Sequence, residues 1–180
     1  YPLKKGSFMI GEIKASDVST SDLRKHIAYI NRNTYIFNGS VKDNIVLNGE
    51  LSDERIEKAM KIACLDREFN KTSVVGSEGK GISDGQRVRL AIARAVIKEP
   101  DIFMIDEALT ALDPATERSI LKNLREEFPK ATFMIITHRD TILEEMDRIF
   151  ILDGNKFSEG MSFDELNGNK EFKTLFSYAE

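Results

Sequence analysis

Two kinds of apolar pattern alternate along this chain. One is the short continuous run bounded by polar or turn residues, the mark of a buried strand. The other places apolar side chains every third or fourth residue, the mark of a helix with one buried face. After residue 99 the two take turns. Ile102 to Ile105 reads as strand, and Pro114 to Phe128 as helix with Ile120, Leu121 and Leu124 inward. Thr132 to Ile136 is strand, Thr141 to Met146 helix and Arg148 to Leu152 strand. Asp153-Gly154 forms a hairpin turn leading into Lys156-Phe157. Short helices are predicted near Phe163–Leu166 and Glu171–Tyr178.

The first half is richer in helix. Ile10 to Lys14 reads as a short strand, Ser21 to His26 as a short helix, and Ile27-Ala28-Tyr29-Ile30 as an apolar strand. Asn31 to Ser40 is loop, and Val41 to Leu47 a brief helix. Ser52 starts a stronger helix: Ser at the N-cap, Asp53 and Glu54 in the first turn, then Ile56, Ala59, Met60 and Ala63 at helical spacing. Lys71 to Gly81 is polar, glycine-rich loop. A helix runs from Ser83 to about Lys98, with Val88, Ala91, Ile92, Ala95 and Val96 on one face, and Glu99-Pro100 stops it. The alternation as a whole predicts an α/β domain with a mostly parallel sheet. No internal repeat interrupts it.

Composition narrows the function. The 180 residues suffice for one full core. A net charge of −4 gives no reason to expect a nucleic-acid partner. The single Cys64, between Ala63 and Leu65, excludes an internal disulfide and reads as a small buried hydrophobe. No apolar run reaches the roughly 18 residues that would span a bilayer. Tyr1, with no preceding Met, reads as a cut end.

Candidate chemistry lies between Ile82 and His138. Ile102-Phe103-Met104-Ile105 ends in Asp106-Glu107, so a buried strand delivers two carboxylates to its C-terminal tip. Phe133 to Ile136 delivers Thr137-His138 in the same way. Ligands of open α/β sheets bind at such tips. Carboxylates beside a histidine suit a metal-bound nucleotide and an attacking water. Ser83-Asp84-Gly85-Gln86 reads as a capping box, Ser followed three residues on by Gln, and this is either its whole role or the start of a helix N-terminus that can bind a phosphate. Asp113 directly before Pro114 is an N-cap with Pro at N1. His26 sits in a charged helix and reads as solvated.

Nearly the whole chain resembles the nucleotide-binding domain of ATP-binding cassette transporters. Ile82-Ser83-Asp84-Gly85-Gln86 resembles the signature Leu-Ser-Gly-Gly-Gln, Asp106-Glu107 Walker B with its catalytic glutamate, Ala111-Leu112-Asp113 the D-loop and Thr137-His138 the switch histidine. Four motifs in this order are far more specific than any one. Thr34 to Ile45 and Val75-Gly76-Ser77-Glu78-Gly79 are similar to segments of the exporter branch.

The resemblance implies an α/β, P-loop NTPase-like cassette. Residues 1–30 would be part of the core, 31–98 the Q-loop and helical subdomain, and 99–180 the rest of the core. Glu107 and His138 would be catalytic, and Asp106 would hold Mg²⁺. Ser83, Gly85, Gln86, Asp113 and Arg32 would contact ATP. Partners would be a second cassette, identical or not, joined head to tail with ATP between, and a transmembrane domain. The latter's coupling helix would meet the surface around Tyr35-Ile36-Phe37, on the cytoplasmic face of the membrane. The whole would power export; a soluble cassette of DNA repair or translation is the less favoured relative.

Three departures from the family pattern stand out. No Gly-x-x-x-x-Gly-Lys-Ser/Thr occurs; Gly76 to Gly81 fails the spacing. The chain thus reads as most of a cassette without its Walker A cradle, and as poorly stable alone. Asp84 replaces a glycine, and a carboxylate there should repel phosphate and weaken that half-site. Arg32 stands where the Q-loop glutamine meets Mg²⁺, and arginine cannot ligate a cation. It reads equally as a phosphate contact or a solvated loop residue. The alternative function is a catalytically silent or regulatory cassette that only presents its signature to a partner.

Overall fold

The structure, a computed structural model, describes residues 5–76, 81–154 and 156–168. Its centre is a three-stranded parallel sheet in the order β3-β6-β7, formed by β3 (Ile27–Asn31), β6 (Ile102–Asp106) and β7 (Thr132–Ile136). The register sets Asn31 beside Asp106 and Asp106 beside Ile136, so all three strands end at one level. This is the mostly parallel α/β arrangement that the alternating pattern predicts.

One face of the sheet is buried. Ala28, Ile30, Phe103 and Ile105 lie there at 3 % exposure or less, under α4 (Asp84–Val96). Phe103 stacks on Phe133 with centroids 5.0 Å apart and meets Phe128 at 5.2 Å. On the other face Tyr29, Met134 and Ile136 are about half exposed. Around α4 pack α2 (Val41–Val46) and α3 (Asp53–Ile62), while α5 (Pro114–Glu127) contacts α3. Val88, Leu90 and Ile92 of α4 are fully buried, each stabilising the fold by roughly 1.5–3 kcal/mol through lost apolar surface.

The helix starts follow local chemistry. Ser19 caps α1 (Thr20–His26), Ser40 caps α2 and Ser52 caps α3. Ser83 and Gln86 form the expected capping box of α4, and Asp113 with Pro114 opens α5.

Four expectations are corrected. Ile10 to Lys14 is not one strand but a hairpin, β1 (Met9–Ile10) against β2 (Ile13–Lys14), because Gly11 at φ +58° turns the chain. The two expected loops contain a strand pair, β4 (Gly39–Ser40) with β5 (Val74–Val75), too short to show a period. Thr141 to Met146 yields only a 3-10 turn at Leu143–Glu145; the Thr141 hydroxyl donates to Glu117 at 3.1 Å instead of capping a helix.

Arg148 to Leu152 is an irregular ladder. Ile149 pairs with Met161, but the Ile151 amide is taken by the Ser158 hydroxyl, so regular pairing is confined to β8 (Leu152–Asp153) with β9 (Lys156–Phe157). The expected turn at Asp153-Gly154 joins these two. α6 (Phe163–Gly168) forms as expected. The helix expected at Glu171–Tyr178, the start at Tyr1 and residues 77–80 of the glycine-rich segment lie outside the described residues.

Candidate active site

The candidate residues gather in two clusters. The first sits at the C-terminal tips of the parallel strands. Asp106 is the last residue of β6, and the Tyr29 hydroxyl donates to its Oδ2 at 2.7 Å. This bond to a carboxylate is the main reason why the Tyr29 phenol is pushed above its ordinary pKa. Glu107 follows with φ +49°, a left-handed conformation that a non-glycine residue adopts only at a cost. Its amide donates to the Ile136 carbonyl at 3.0 Å, which fastens the turn to the neighbouring strand. The 3-10 turn Ala108–Ala111 then leads the chain away.

His138 stands just beyond β7, and its Nε2 lies 2.7 Å from Glu107 Oε1. A carboxylate only accepts, so Nε2 carries the proton of this bond. Thr137 shapes the turn by accepting from the Arg139 amide at 3.0 Å. Both side chains are open to solvent, His138 at 79 % and Glu107 at 50 %, so a ligand can reach them.

The second cluster surrounds the start of α4. Ser83 Oγ accepts from the Gln86 amide at 3.2 Å, and the Ser83 amide donates back to Gln86 Oε1 at 2.8 Å. The rest of the Gln86 amide group is fixed by Glu68, which accepts from Nε2 at 2.6 Å while Arg89 donates to its other oxygen at 2.6 Å. These bonds, Gln86 first, hold the Glu68 carboxyl below its usual range against some burial. Gly85 lies under the 3-10 turn: a Cβ on it would stand 3.1 Å from the Ala111 carbonyl oxygen. Asp113 caps α5 by accepting from the amides of Ala115 and Thr116, at 3.1 and 3.0 Å. Thr116, through side chain and amide, is the main cause of its lowered pKa. Glu68, Ser83, Asp84, Gly85, Asp113 and Thr116 line a cleft of about 390 Å³.

Arg32 is not a free loop residue. Its Nη2 donates to Asp84 Oδ2 at 3.2 Å, across 52 positions of sequence. Nor is His26 merely solvated, since Nδ1 lies 2.6 Å from Asp101 Oδ2. Among the described residues no hydrogen bond links Ser83, Gln86 or Asp113 to Asp106, Glu107 or His138.

Sequence reading missed three residues that organise these clusters. Tyr29 emerges only from the pairing of β3 with β6. Glu68 has no local pattern to mark it. Arg139 donates to the carbonyls of Thr110 and Leu112, at 2.8 and 2.9 Å, and lies 3.8 Å from the buried Glu117. Its place directly after His138 was the available signal.

At the aromatic tip, Tyr35 and Phe37 are about half exposed and meet edge to face with centroids 4.9 Å apart. Arg94 of α4 anchors the tip, donating to the Tyr35 carbonyl at 2.6 Å, to the Asn44 side chain at 2.8 Å and to the Asn44 carbonyl.

The donor set fits a magnesium nucleotide. Carboxylate oxygens are hard ligands, and Mg²⁺ keeps much of its water shell. Among the described residues no three metal-ligating side chains converge.

Residues 1–110 match the family model described as ABC transporter. A Rickettsia typhi protein, named as a candidate export ATP-binding/permease protein, is 32 % identical over 177 residues, covering 95 % of this chain and 31 % of its own. The ATP-dependent lipid A-core flippase of Aliivibrio fischeri is 32 % identical over 173 residues, 92 % of this chain and 30 % of its own. The structure of a bacterial Atm1-family ABC exporter with ATP bound superposes with a TM-score of 0.89 at 28 % identity, covering 99 % of this chain and 33 % of that one. This chain therefore spans about a third of the length of its curated relatives. Among the described residues no helix is long and apolar enough to cross a membrane.

Proposed function

This chain belongs to the ABC transporter family, and from that premise we propose that it is the ATP-hydrolysing cassette of an exporter. The observation that carries the reading is the meeting of Glu107 and His138, 2.7 Å apart, beside Asp106 at the strand tips. Asp106 would hold Mg²⁺ through water, and bound Mg²⁺ would neutralise charge on the phosphates. Glu107 orients the attacking water and draws on its proton, while the His138 N–H either holds the carboxylate in place, as here, or turns to donate to a γ-phosphate oxygen once nucleotide is bound. Such a reaction needs charge neutralisation and in-line positioning more than covalent chemistry.

In this reading Ser83, Gly85 and Gln86, with Asp113, face a nucleotide bound by a second cassette, because they surround a helix N-terminus, whose dipole favours phosphate. The lysine and amide cradle of Walker A is not among these 180 residues, and the reading takes it from polypeptide outside them. Residues 1–30 and 99–180 would form the core and 31–98 the helical subdomain. The tip with exposed Tyr35 and Phe37, beside the buried Ile36, would receive a transmembrane domain, fused or separate, on the cytoplasmic face of the membrane.

MgATP turnover by the full-length exporter subunit, with Glu107→Gln as control, tests the reading. Turnover lost with Glu107→Gln supports it. Turnover indifferent to that change removes Glu107 from the role proposed, and no turnover in the parent leaves the silent cassette.

A further inference from the structure

The two substitutions that depart from the family pattern at Arg32 and Asp84 touch each other. Arg32 reaches from the loop after β3 to Asp84, the first residue of α4, with Nη2 3.2 Å from Oδ2. Arg87, one turn further along α4, lies 3.4 Å from the other oxygen. Asp84 is thus held between two guanidinium groups at the mouth of the cleft lined by Ser83, Gly85 and Asp113.

Charge decides what this means. Glutamine and glycine at the two positions would contribute, together with Arg87, one positive charge to this mouth. Arginine and aspartate with Arg87 leave the same. The acid is also well placed for α4, since a carboxylate in the first turn suits the positive end of the helix. Unpaired, however, it would stand where an incoming polyphosphate approaches. Arginine stays charged throughout the working pH range, so its compensation is permanent.

We propose that Arg32 is a positioning residue that offsets Asp84, so that the α4 cleft still accepts the polyphosphate of a nucleotide carried by a second cassette. The inference rests on the function proposed above. Asp84 alone therefore does not mark a failed half-site; the pair is a replacement for the usual neutral residues. Both side chains are more than half exposed, 58 % and 52 %, so the compensation is open to screening by salt.

A mutant cycle in the full-length exporter subunit tests this, with MgATP as probe. Arg32→Gln in the parent background should raise the KM for MgATP about tenfold, as expected for an uncompensated charge near phosphate, with a much smaller fall in kcat. In an Asp84→Asn background, which removes the charge and keeps the shape, the same substitution should raise KM at least about fivefold less. Arg32→Lys should retain most of the parent affinity. The Arg32→Gln defect should shrink when ionic strength is raised from about 0.1 to about 0.5 M. Equal penalties in both backgrounds, or a defect insensitive to salt, overturn the proposal. Glu107→Gln, run alongside, separates the two failures: turnover lost there with an additive cycle removes only the charge-pair inference, and no turnover in the parent removes the proposed function and this inference with it.

Discussion

His138 Nε2 and Glu107 Oε1 stand 2.7 Å apart, joining the tips of two adjacent parallel strands. In the proposed reaction the two act as one unit. Glu107→Gln keeps the shape but loses the base, and should cut MgATP turnover at least about 100-fold. His138→Ala should cost a similar factor, and the double variant little more than the worse single one. Losses that multiply in steady-state kinetics would show that the two work independently.

Tyr29 is bound to Asp106 at 2.7 Å, which raises its phenol pKa above the ordinary 10.0. Following phenolate absorbance against pH should reveal one tyrosine ionising late. Asp106→Asn should return it to the ordinary range. A titration unchanged by that substitution would refute the contact.

Asp113 has a lowered carboxyl pKa, from an ordinary 3.8. Its cap stabilises α5 fully above the unfolded value and fades as pH falls through the folded one. Asp113→Asn keeps a good N-cap that does not titrate. The stability gap between parent and variant in urea unfolding should therefore be constant at neutral pH and shift against the parent below about pH 4. A gap that does not move with pH would argue against the cap.

Gly85 shows two effects in competition. Alanine there would favour the helix by up to about 1 kcal/mol, yet its Cβ would stand 3.1 Å from the Ala111 carbonyl and 3.4 Å from a Leu112 methyl. We expect Gly85→Ala to gain little stability and to raise the KM for MgATP by displacing the 3-10 turn. A variant stabilised by the full amount with unchanged kinetics would show that the turn yields freely.

Phe103 is fully buried between Phe133 and Phe128. Phe103→Ala should cost about 3–5 kcal/mol, read as a lower urea midpoint. A loss under about 1 kcal/mol would mean that the site collapses around the cavity.

The strands that lead to Asp106 and His138 were legible because each is a continuous apolar run whose end is visible where polarity returns, although β7 is only partly covered rather than buried as expected. The caps at Ser52, Ser83 and Asp113 were legible because each rests on bonds within three residues. The hairpin at Gly11 was not, since two two-residue strands have no period. The Arg32–Asp84 and Tyr29–Asp106 contacts lay beyond reach for another reason: they join residues 52 and 77 positions apart, and only the strand register and the path of the loop after β3 bring them together. Likewise Thr141 looked like a helix start until Glu117 claimed its hydroxyl.

Arg94 gives α4 a second meaning. The helix begins at the capped turn of Ser83 and, eleven residues on, grips the main chain of Tyr35 and Asn44. Thirteen helical residues make a rod about 20 Å long that bends little. In the proposed function, a load on the aromatic tip would reach the cleft at the start of α4 as a rigid displacement, with Arg94 as the coupling pin. Removing that pin, as in Arg94→Ala, would release the tip from the helix and cut the link between the two ends.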